Sequence, residues 1–213
     1  MVYTLTLSFD KGFEHSEALY HAAINEFATA GYAAASINTI LRNAGMSKGQ
    51  FYYHFENKQA LYFALIEVLI ARKAAFMADR TRVGAPDTPA DFFTVLGQQI
   101  ELGLAFARAH PEIEAFSQSF LREQGNPIYA AALARYNLAG DNQLNALIAS
   151  AHRRGAFRAG LPVDFVQRIV QIVLTNVGAL HDLEDPTPLS HRFTLVIQCL
   201  KHGLAAENQP SKD

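Results

Sequence analysis

The placement of proline is the strongest constraint on how this chain can fold. No proline occurs before residue 86, whereas seven lie between residues 86 and 188. The proline ring lacks an N–H and clashes with the preceding helical turn, so proline fits the first turn of a helix and not its interior. Most of these prolines therefore mark helix entrances, and they predict a series of separate helices after residue 86.

Apolar residues recur at three- and four-residue spacing along the whole chain, which is the spacing of one helix face. Strand-type alternation is confined to residues 2–7, which we expect to form a loose arm. The predicted helices cover about residues 16–30, 36–44, 48–55, 57–78, 89–109, 111–122, 127–154, 162–183 and 188–205. The sequence thus predicts an all-α fold of about nine helices.

The composition excludes several classes of protein. Half of the residues are hydrophobic and 18% are charged, as in soluble globular proteins. No apolar run reaches the roughly 18 residues that a membrane span requires, and the first fifteen residues lack the features of an export signal. We therefore expect a cytoplasmic protein with no membrane partner.

Motifs that would indicate catalysis or a metal site do not occur in the sequence. There is no G-x-S-x-G nucleophile elbow, no Walker A motif and no H-x-x-x-H or H-E-x-x-H pair. Cys199 is the single cysteine, so it cannot form an internal disulfide, and we expect it to be a small buried hydrophobe. We predict neither an enzyme nor a cofactor or metal site.

Two short predicted helices on either side of a turn at Gly45 suggest a helix-turn-helix, whose second helix enters the major groove of DNA. Because helix hairpins are common, this interpretation depends on the second helix. Its sequence, residues 47–55, is S-K-G-Q-F-Y-Y-H-F. Phe51 and Phe55 stand four residues apart and are expected to face the core together, which leaves a polar and aromatic face exposed.

The exposed face of this second helix carries the chemistry that reads DNA. Lys48 offers a charge to phosphate or guanine, Gln50 can form two hydrogen bonds with adenine, and tyrosine hydroxyls donate to phosphate oxygens. Gly49 lets the backbone approach the groove closely, and Ser47 stands where the free N–H groups of a helix start attract phosphate. Without the surrounding motif, the tyrosines at 52 and 53 would more simply be a packed aromatic pair.

Residues 16–66 resemble the DNA-binding domain of the TetR family of transcriptional repressors. The chain meets the pattern A-x-x-x-F-x-x-x-G-Y from Ala23 onward. It also meets the pattern A-G-V-S-x-G-x-L-Y-x-H-F-x-x-K-x-x-L from Ala44, with conservative changes at Met46 and Phe51.

The resemblance implies two domains and a function. Residues 1–60 would form a three-helix DNA-binding domain, and residues 61–213 a larger helical domain for ligand binding and dimerisation. The chain would be a homodimeric regulator, most often a repressor that leaves a palindromic double-stranded operator when a small apolar or aromatic effector binds. A ligand-insensitive regulator or an activator of the same fold is the main alternative, followed by a helical enzyme or protein-binding module without DNA affinity.

The matching positions carry implied roles in DNA binding. Ser36 and Lys58, each at a helix start, would contact phosphates. The full set of candidate DNA-binding residues is Ser36, Ser47, Lys48, Gly49, Gln50, Tyr52, Tyr53, His54 and Lys58. Those at 52–54 would follow the DNA backbone, whereas those at 48–50 would approach the bases. His54 could instead be a surface histidine that makes no contact.

The region after residue 90 holds the candidates for an effector pocket and a dimer interface. A small-molecule site has apolar walls with a few polar groups, although an ordinary helical core has the same composition. The pocket candidates are Phe116, Phe120, Tyr136 and Asn176. The last two predicted helices are apolar on more than one side, so one side is expected to meet a partner unless the chain is a monomer. The interface candidates are Val166, Val170, Val177, Phe193, Val196, Ile197 and Leu200.

The N-terminal part of the chain is less basic than a DNA-binding surface usually is. Residues 1–60 contain four Lys or Arg residues against five Asp or Glu residues, a net charge of −1. Each Lys or Arg that neutralises a phosphate releases counterions and makes DNA binding more sensitive to salt. Because this part of the chain has few such cations, we expect only a moderate salt dependence. The same count is compatible with acids that face away from the DNA.

Overall fold

The computed structural model describes residue 9 and residues 12–81, 91–138, 143–177 and 188–205, and within these ranges the chain forms ten α-helices and no strand. The helices are α1 (Ser16–Ala34), α2 (Ile37–Ala44), α3 (Lys48–His54), α4 (Lys58–Thr81), α5 (Phe92–Ala109), α6 (Pro111–Arg122), α7 (Pro127–Tyr136), α8 (Gln143–Arg153), α9 (Val163–Thr175) and α10 (Leu189–Leu204). The predicted all-α fold class is confirmed. The arm expected at residues 2–7 lies outside the described residues.

The chain divides into two compact units. The first consists of Met1–Gly84 and Phe106–Leu138, and the second of Ala85–Ala105 and Ala139–Asp213. The predicted boundary at residue 60 separates a DNA-binding domain from a ligand-binding domain, whereas these units are defined by compactness. The predicted boundary therefore stays a prediction. Within the described ranges, no helix is both long enough and apolar enough to cross a membrane.

Aromatic side chains of α1, α4 and α6 form the core of the first unit. Tyr62 of α4 is 1% exposed, and its ring centroid lies 4.9 Å from that of Phe27 on α1 and 5.3 Å from that of Phe116 on α6. Burying a side chain of this size contributes about 1.5–3 kcal/mol. These rings therefore hold α1 firmly against α4 and α6.

A glycine shapes the end of α1. Gly31 has φ 73° and ψ 171°, a conformation that is almost restricted to glycine, and it interrupts the helix before a last turn that ends at Ala34. A Cβ atom at Gly31 would lie 3.0 Å from Oε1 of Glu123, just after α6. The same oxygen accepts a hydrogen bond from the Tyr32 N–H at 2.7 Å. The glycine thus permits the close approach that this bond requires.

The structure replaces one predicted helix with two. The sequence predicted a continuous helix over residues 127–154, but α7 ends at Tyr136 and α8 begins at Gln143. Asn137 ends α7 in the left-handed conformation, with φ 51° and ψ 41°. Asparagine tolerates this conformation because its short side chain can hydrogen-bond locally. The prediction of one continuous helix was wrong because the apolar residues keep their helical spacing across Asn137, where the backbone ends the helix.

Three other expectations concern the second unit. The helix predicted from about residue 89 begins at Phe92, where the Asp91 carboxylate accepts hydrogen bonds from the N–H groups of the first turn, and residues 82–90 lie outside the described ranges. The helix predicted to reach residue 183 ends at Thr175, and residues 178–187 are likewise not described. Cys199 was expected to be buried, but α10 exposes it.

The seven residues predicted to form the dimer interface lie in the core of the second unit. Val166, Val170 and Val177 are fully buried. Val196 and Leu200 are buried as well, while Phe193 and Ile197 pack against this cluster. The five buried residues therefore pack within their own subunit, whereas an interface role for the partly buried Phe193 and Ile197 stays a prediction. The apolar residues that α9 and α10 do expose, each between 44% and 52%, are Phe165, Ile172, Leu189 and Leu195.

Candidate nucleic-acid interface

The turn between α2 and α3 is built by local hydrogen bonds. Ser36 begins α2, where its hydroxyl accepts a bond from the Thr39 N–H at 3.4 Å and its own N–H donates to the Glu26 carboxylate at 2.9 Å. Gly45 ends α2 with φ 65°, and the next residue, Met46, is buried. This geometry delivers the chain directly into α3.

A reciprocal pair of hydrogen bonds opens α3. The Ser47 hydroxyl accepts from the Gln50 N–H at 3.2 Å, and the Gln50 side-chain oxygen accepts from the Ser47 N–H at 2.9 Å. This capping box satisfies two N–H groups that a helix start otherwise leaves free. The sequence predicted that Ser47 caps this helix, but Gln50 was assigned only to DNA, although the spacing S-x-x-Q could have revealed the reciprocal pair. Since the Gln50 oxygen is engaged, its amide N–H groups are the part that remains available to a ligand.

The rest of α3 separates into a buried and an exposed side. Phe51 and Phe55 are 0% and 3% exposed, as the sequence predicted for core residues. Tyr52 and Tyr53 are 57% and 85% exposed, so they are not a packed pair. Lys48 and Gly49 are exposed on the first turn, and no atom lies within 4 Å of a Cβ atom built at the glycine. The helix therefore offers solvent a lysine, open backbone and two phenol groups.

His54, the last residue of α3, makes ring contacts on two sides. Its imidazole stacks on Phe13, with ring centroids 3.9 Å apart, and meets the ring of Tyr53 edge-on at 5.0 Å. These contacts lie within the protein, and whether His54 also contacts DNA stays a prediction. Arg42, in the last turn of α2, is an exposed cation beside the turn that sequence reasoning did not assign.

The Lys58 side chain binds carbonyl groups of its own chain. Its Nζ donates to the carbonyl oxygens of Tyr32 at 2.8 Å, Ala33 at 3.1 Å and Ala35 at 3.1 Å. An ammonium group has three donors, so these bonds use its full capacity. The positive charge also lies at the negative end of the α1 dipole. The side chain holds the end of α1, and a phosphate contact, which stays a prediction, would require one of these bonds to break.

The four pocket candidates do not share one site within either unit. Phe116 and Phe120 are buried in the core of the first unit. The Tyr136 hydroxyl donates to the Phe63 carbonyl or to the Glu67 carboxylate, at 3.1 and 3.0 Å, and burial together with that carboxylate raises the pKa of Tyr136. Asn176 belongs to the second unit, where it is exposed and donates to a carbonyl of α9.

Two open grooves of the first unit, of about 350 and 390 Å³, are lined by other residues. No group of three or more His, Cys, Asp or Glu side chains in the described ranges is placed to hold a metal ion.

The comparisons with known proteins agree with this geometry. Residues 19–65 match the family described as "Bacterial regulatory proteins, tetR family". The chain is 38% identical over 56 residues to YdgC, an HTH-type transcriptional regulator of Bacillus subtilis (strain 168), a stretch that covers 26% of this chain and 29% of that protein. The match thus spans less than a third of the length of the curated relatives.

Solved structures show the same fold over nearly the whole chain. A TetR family transcriptional regulator from Chloroflexus aurantiacus J-10-fl aligns with a TM-score of 0.69 at 22% identity, over 95% of this chain and 99% of that one. The regulator FadR from Bacillus subtilis, in complex with stearoyl-CoA, aligns with a TM-score of 0.62 at 17% identity, over 88% and 98% of the two chains. At these identities the likeness is one of fold.

Exchanging Lys58 for methionine should lower the free energy of unfolding by about 1–3 kcal/mol, because three carbonyl groups at the end of α1 lose a charged donor. Lys48→Met is the matched control, since this lysine is exposed on α3 and its loss should change stability by no more than about 0.5 kcal/mol. Urea unfolding of the full chain measures both. Equal effects of the two variants would contradict the capping role.

Proposed function

We propose that this chain, whose residues 19–65 match the family of TetR-type bacterial regulatory proteins, is a member of that family and a DNA-binding regulator that represses transcription from a palindromic operator. The observation that carries the proposal is the division of α3 between a side anchored by Phe51 and a side that exposes Lys48 and Tyr53. A protein that acts on the chromosome of a bacterium works in the cytoplasm, which is where we place it.

The exposed side of α3 fits the requirements of a major-groove reader. Lys48 can reach a phosphate or the O6 and N7 acceptors of guanine, and the open backbone at Gly49 allows close approach to the groove edge. The amide N–H groups of Gln50 can donate to a base acceptor without breaking the capping box. Tyr52 and Tyr53 extend hydroxyl groups that can donate to the phosphates on either side.

Replacing Lys48 by alanine should weaken binding to an operator fragment selected from random double-stranded DNA by the full-length protein. The binding free energy should weaken by about 1–3 kcal/mol if the lysine reads a base. If the lysine contacts a phosphate instead, the slope of log affinity against log salt concentration should fall by about 1. Tyr53→Phe, which removes only a hydroxyl, should cost about 0.5–1.5 kcal/mol. Fluorescence anisotropy at several salt concentrations measures these effects.

Lys73→Ala, which removes an exposed cation of α4, is the matched control and should leave affinity unchanged. Unchanged affinity in both Lys48→Ala and Tyr53→Phe would show that the assigned DNA surface is wrong. If the wild-type protein enriches no sequence, the proposal of DNA binding itself fails.

We propose a second copy of this chain as the partner of the exposed apolar residues on α9 and α10. Phe165 and Ile172 on α9 lie about two helical turns apart, and Leu189 and Leu195 are exposed on α10. Exposed apolar groups concentrated on two helices indicate an interaction surface. A two-fold symmetric dimer would carry two copies of α3, one for each half-site of a palindromic operator.

Leu195→Asp should convert the dimer into a monomer and abolish binding to the palindrome while leaving half-site contacts chemically intact. Sedimentation velocity of the full chain measures the mass, and anisotropy measures the binding. Leu121→Asp is the matched control, because this leucine of α6 is 47% exposed and belongs to the first unit. A Leu195→Asp protein that remains dimeric would exclude this face.

A small apolar or aromatic effector is proposed to release the operator. Support comes from the shared fold of FadR, which holds stearoyl-CoA, and not from a cavity defined by the four candidate residues. The effector would act by binding more tightly to a conformation in which α4 (Lys58–Thr81) holds the two copies of α3 at the wrong separation. The shift in population can be no larger than that difference in affinity allows.

Screening the full-length protein by thermal shift against acyl-CoA thioesters, free fatty acids and aromatic compounds tests the effector. At least one class should raise the melting temperature and release the operator fragment in the same concentration range, because ligand binding stabilises the folded state by mass action. A regulator that binds the operator but responds to none of these compounds would favour the ligand-insensitive alternative.

A further inference from the structure

The residue that closes α3 is covered by an aromatic side chain from the segment before α1. We propose that His54 is a positioning residue for operator binding: Phe13 stacks on its imidazole, and the imidazole in turn fixes the ring of Tyr53. This inference rests on the proposed DNA-binding function and deepens it. It changes the role of His54 from a direct contact with DNA to a link between the N-terminal segment and the recognition helix.

The contact between Phe13 and His54 is a close stack. The ring centroids are 3.9 Å apart and the ring planes differ by 19°. Such a separation is shorter than the 4.5–7 Å usual for aromatic pairs, so one face of the imidazole is covered by the phenyl ring. The remaining part of His54 stays exposed at the end of α3.

Phe13 is itself held in place by the core. Its ring centroid lies 6.3 Å from that of Phe55, which is 3% exposed, and 6.5 Å from that of Phe9. Phe9 continues the cluster to Tyr20 of α1 at 5.7 Å. The Phe13 carbonyl also accepts a hydrogen bond from the N–H at the start of α1, at 3.0 Å. The phenyl ring is therefore a fixed support for His54.

The stack reaches Tyr53 through the edge of the imidazole. The rings of Tyr53 and His54 are 5.0 Å apart and nearly perpendicular, at 88°. Tyr53 is 85% exposed, so few other contacts restrict its phenol. An exposed side chain loses conformational freedom when it binds, and a neighbour that limits its rotamers in the free protein reduces that loss. Phe13 and His54 together would thus present the Tyr53 hydroxyl to the DNA backbone.

The two possible roles of His54 make different demands on its chemistry. A direct contact with phosphate needs a ring N–H, which phenylalanine lacks. A positioning role needs only a flat ring between Phe13 and Tyr53, which phenylalanine supplies. His54→Phe therefore separates the roles, whereas His54→Ala removes both.

The experiment uses the full-length protein and the operator fragment that it selects from random double-stranded DNA, with affinity measured by fluorescence anisotropy. Phe13→Ala and His54→Ala should each weaken binding about two- to tenfold, as expected for one aromatic pair. The double variant should be no weaker than the weaker single variant, because both act through one contact. His54→Phe should bind within about twofold of wild type. His21→Ala, which removes another exposed histidine that lies beside Tyr20, is the control and should bind normally.

The outcomes distinguish this inference from the function on which it rests. If His54→Phe binds as weakly as His54→Ala, the histidine contacts DNA directly and the positioning role is wrong. Additive losses in the double variant, or an unchanged Phe13→Ala, would also overturn it. If Phe13→Ala fails to fold, the comparison of the two His54 variants still decides, because both changes lie at the surface. Failure of the wild-type protein to select any sequence would instead remove DNA binding itself.

Discussion

The end of α1 is the joint on which the geometry of the first unit depends. Lys58 at the start of α4 donates to three carbonyl oxygens there, and Glu123 after α6 accepts from the Tyr32 N–H in the space left by Gly31. Hydrogen bonds with a charged partner are stronger than those between neutral groups. Because Ser36, the N-cap of α2, lies two residues beyond the end of α1, the two charged side chains determine where the helix-turn-helix stands on α4 and α6.

Much of the candidate nucleic-acid interface could be predicted from the sequence because the signals that define it are local. Gly45 breaks α2, Ser47 caps α3, and the four-residue spacing of Phe51 and Phe55 selects the buried side. Each of these effects acts within one helical turn, so the order of residues is sufficient to reveal it. The match to a known DNA-binding pattern over the same stretch then assigned the exposed side to DNA.

The features that the sequence did not indicate depend on distant partners or on a choice between equivalent helix faces. Lys58 binds carbonyls 23 to 26 residues earlier in the chain, which no local pattern indicates. Helix α9 is apolar on two sides, and periodicity does not state which side its own subunit covers; the structure buries Val166 and Val170 and exposes Phe165. Asn137 ends α7 through a left-handed backbone conformation. The spacing of the apolar residues does not reveal this conformation, so the sequence predicted one continuous helix.

The capping box between Ser47 and Gln50 bears on how quickly this protein could engage DNA. An isolated helix of seven residues, the length of α3, would be mostly unfolded in water, because the first turn costs more freedom than its hydrogen bonds return. Here that first turn is closed before any DNA arrives, and Phe51 fastens the rest to the core. Encounter would then not wait for a folding step, so the association rate would follow diffusion and long-range charge. The net charge of −1 over residues 1–60 would then influence the association rate more than the equilibrium affinity.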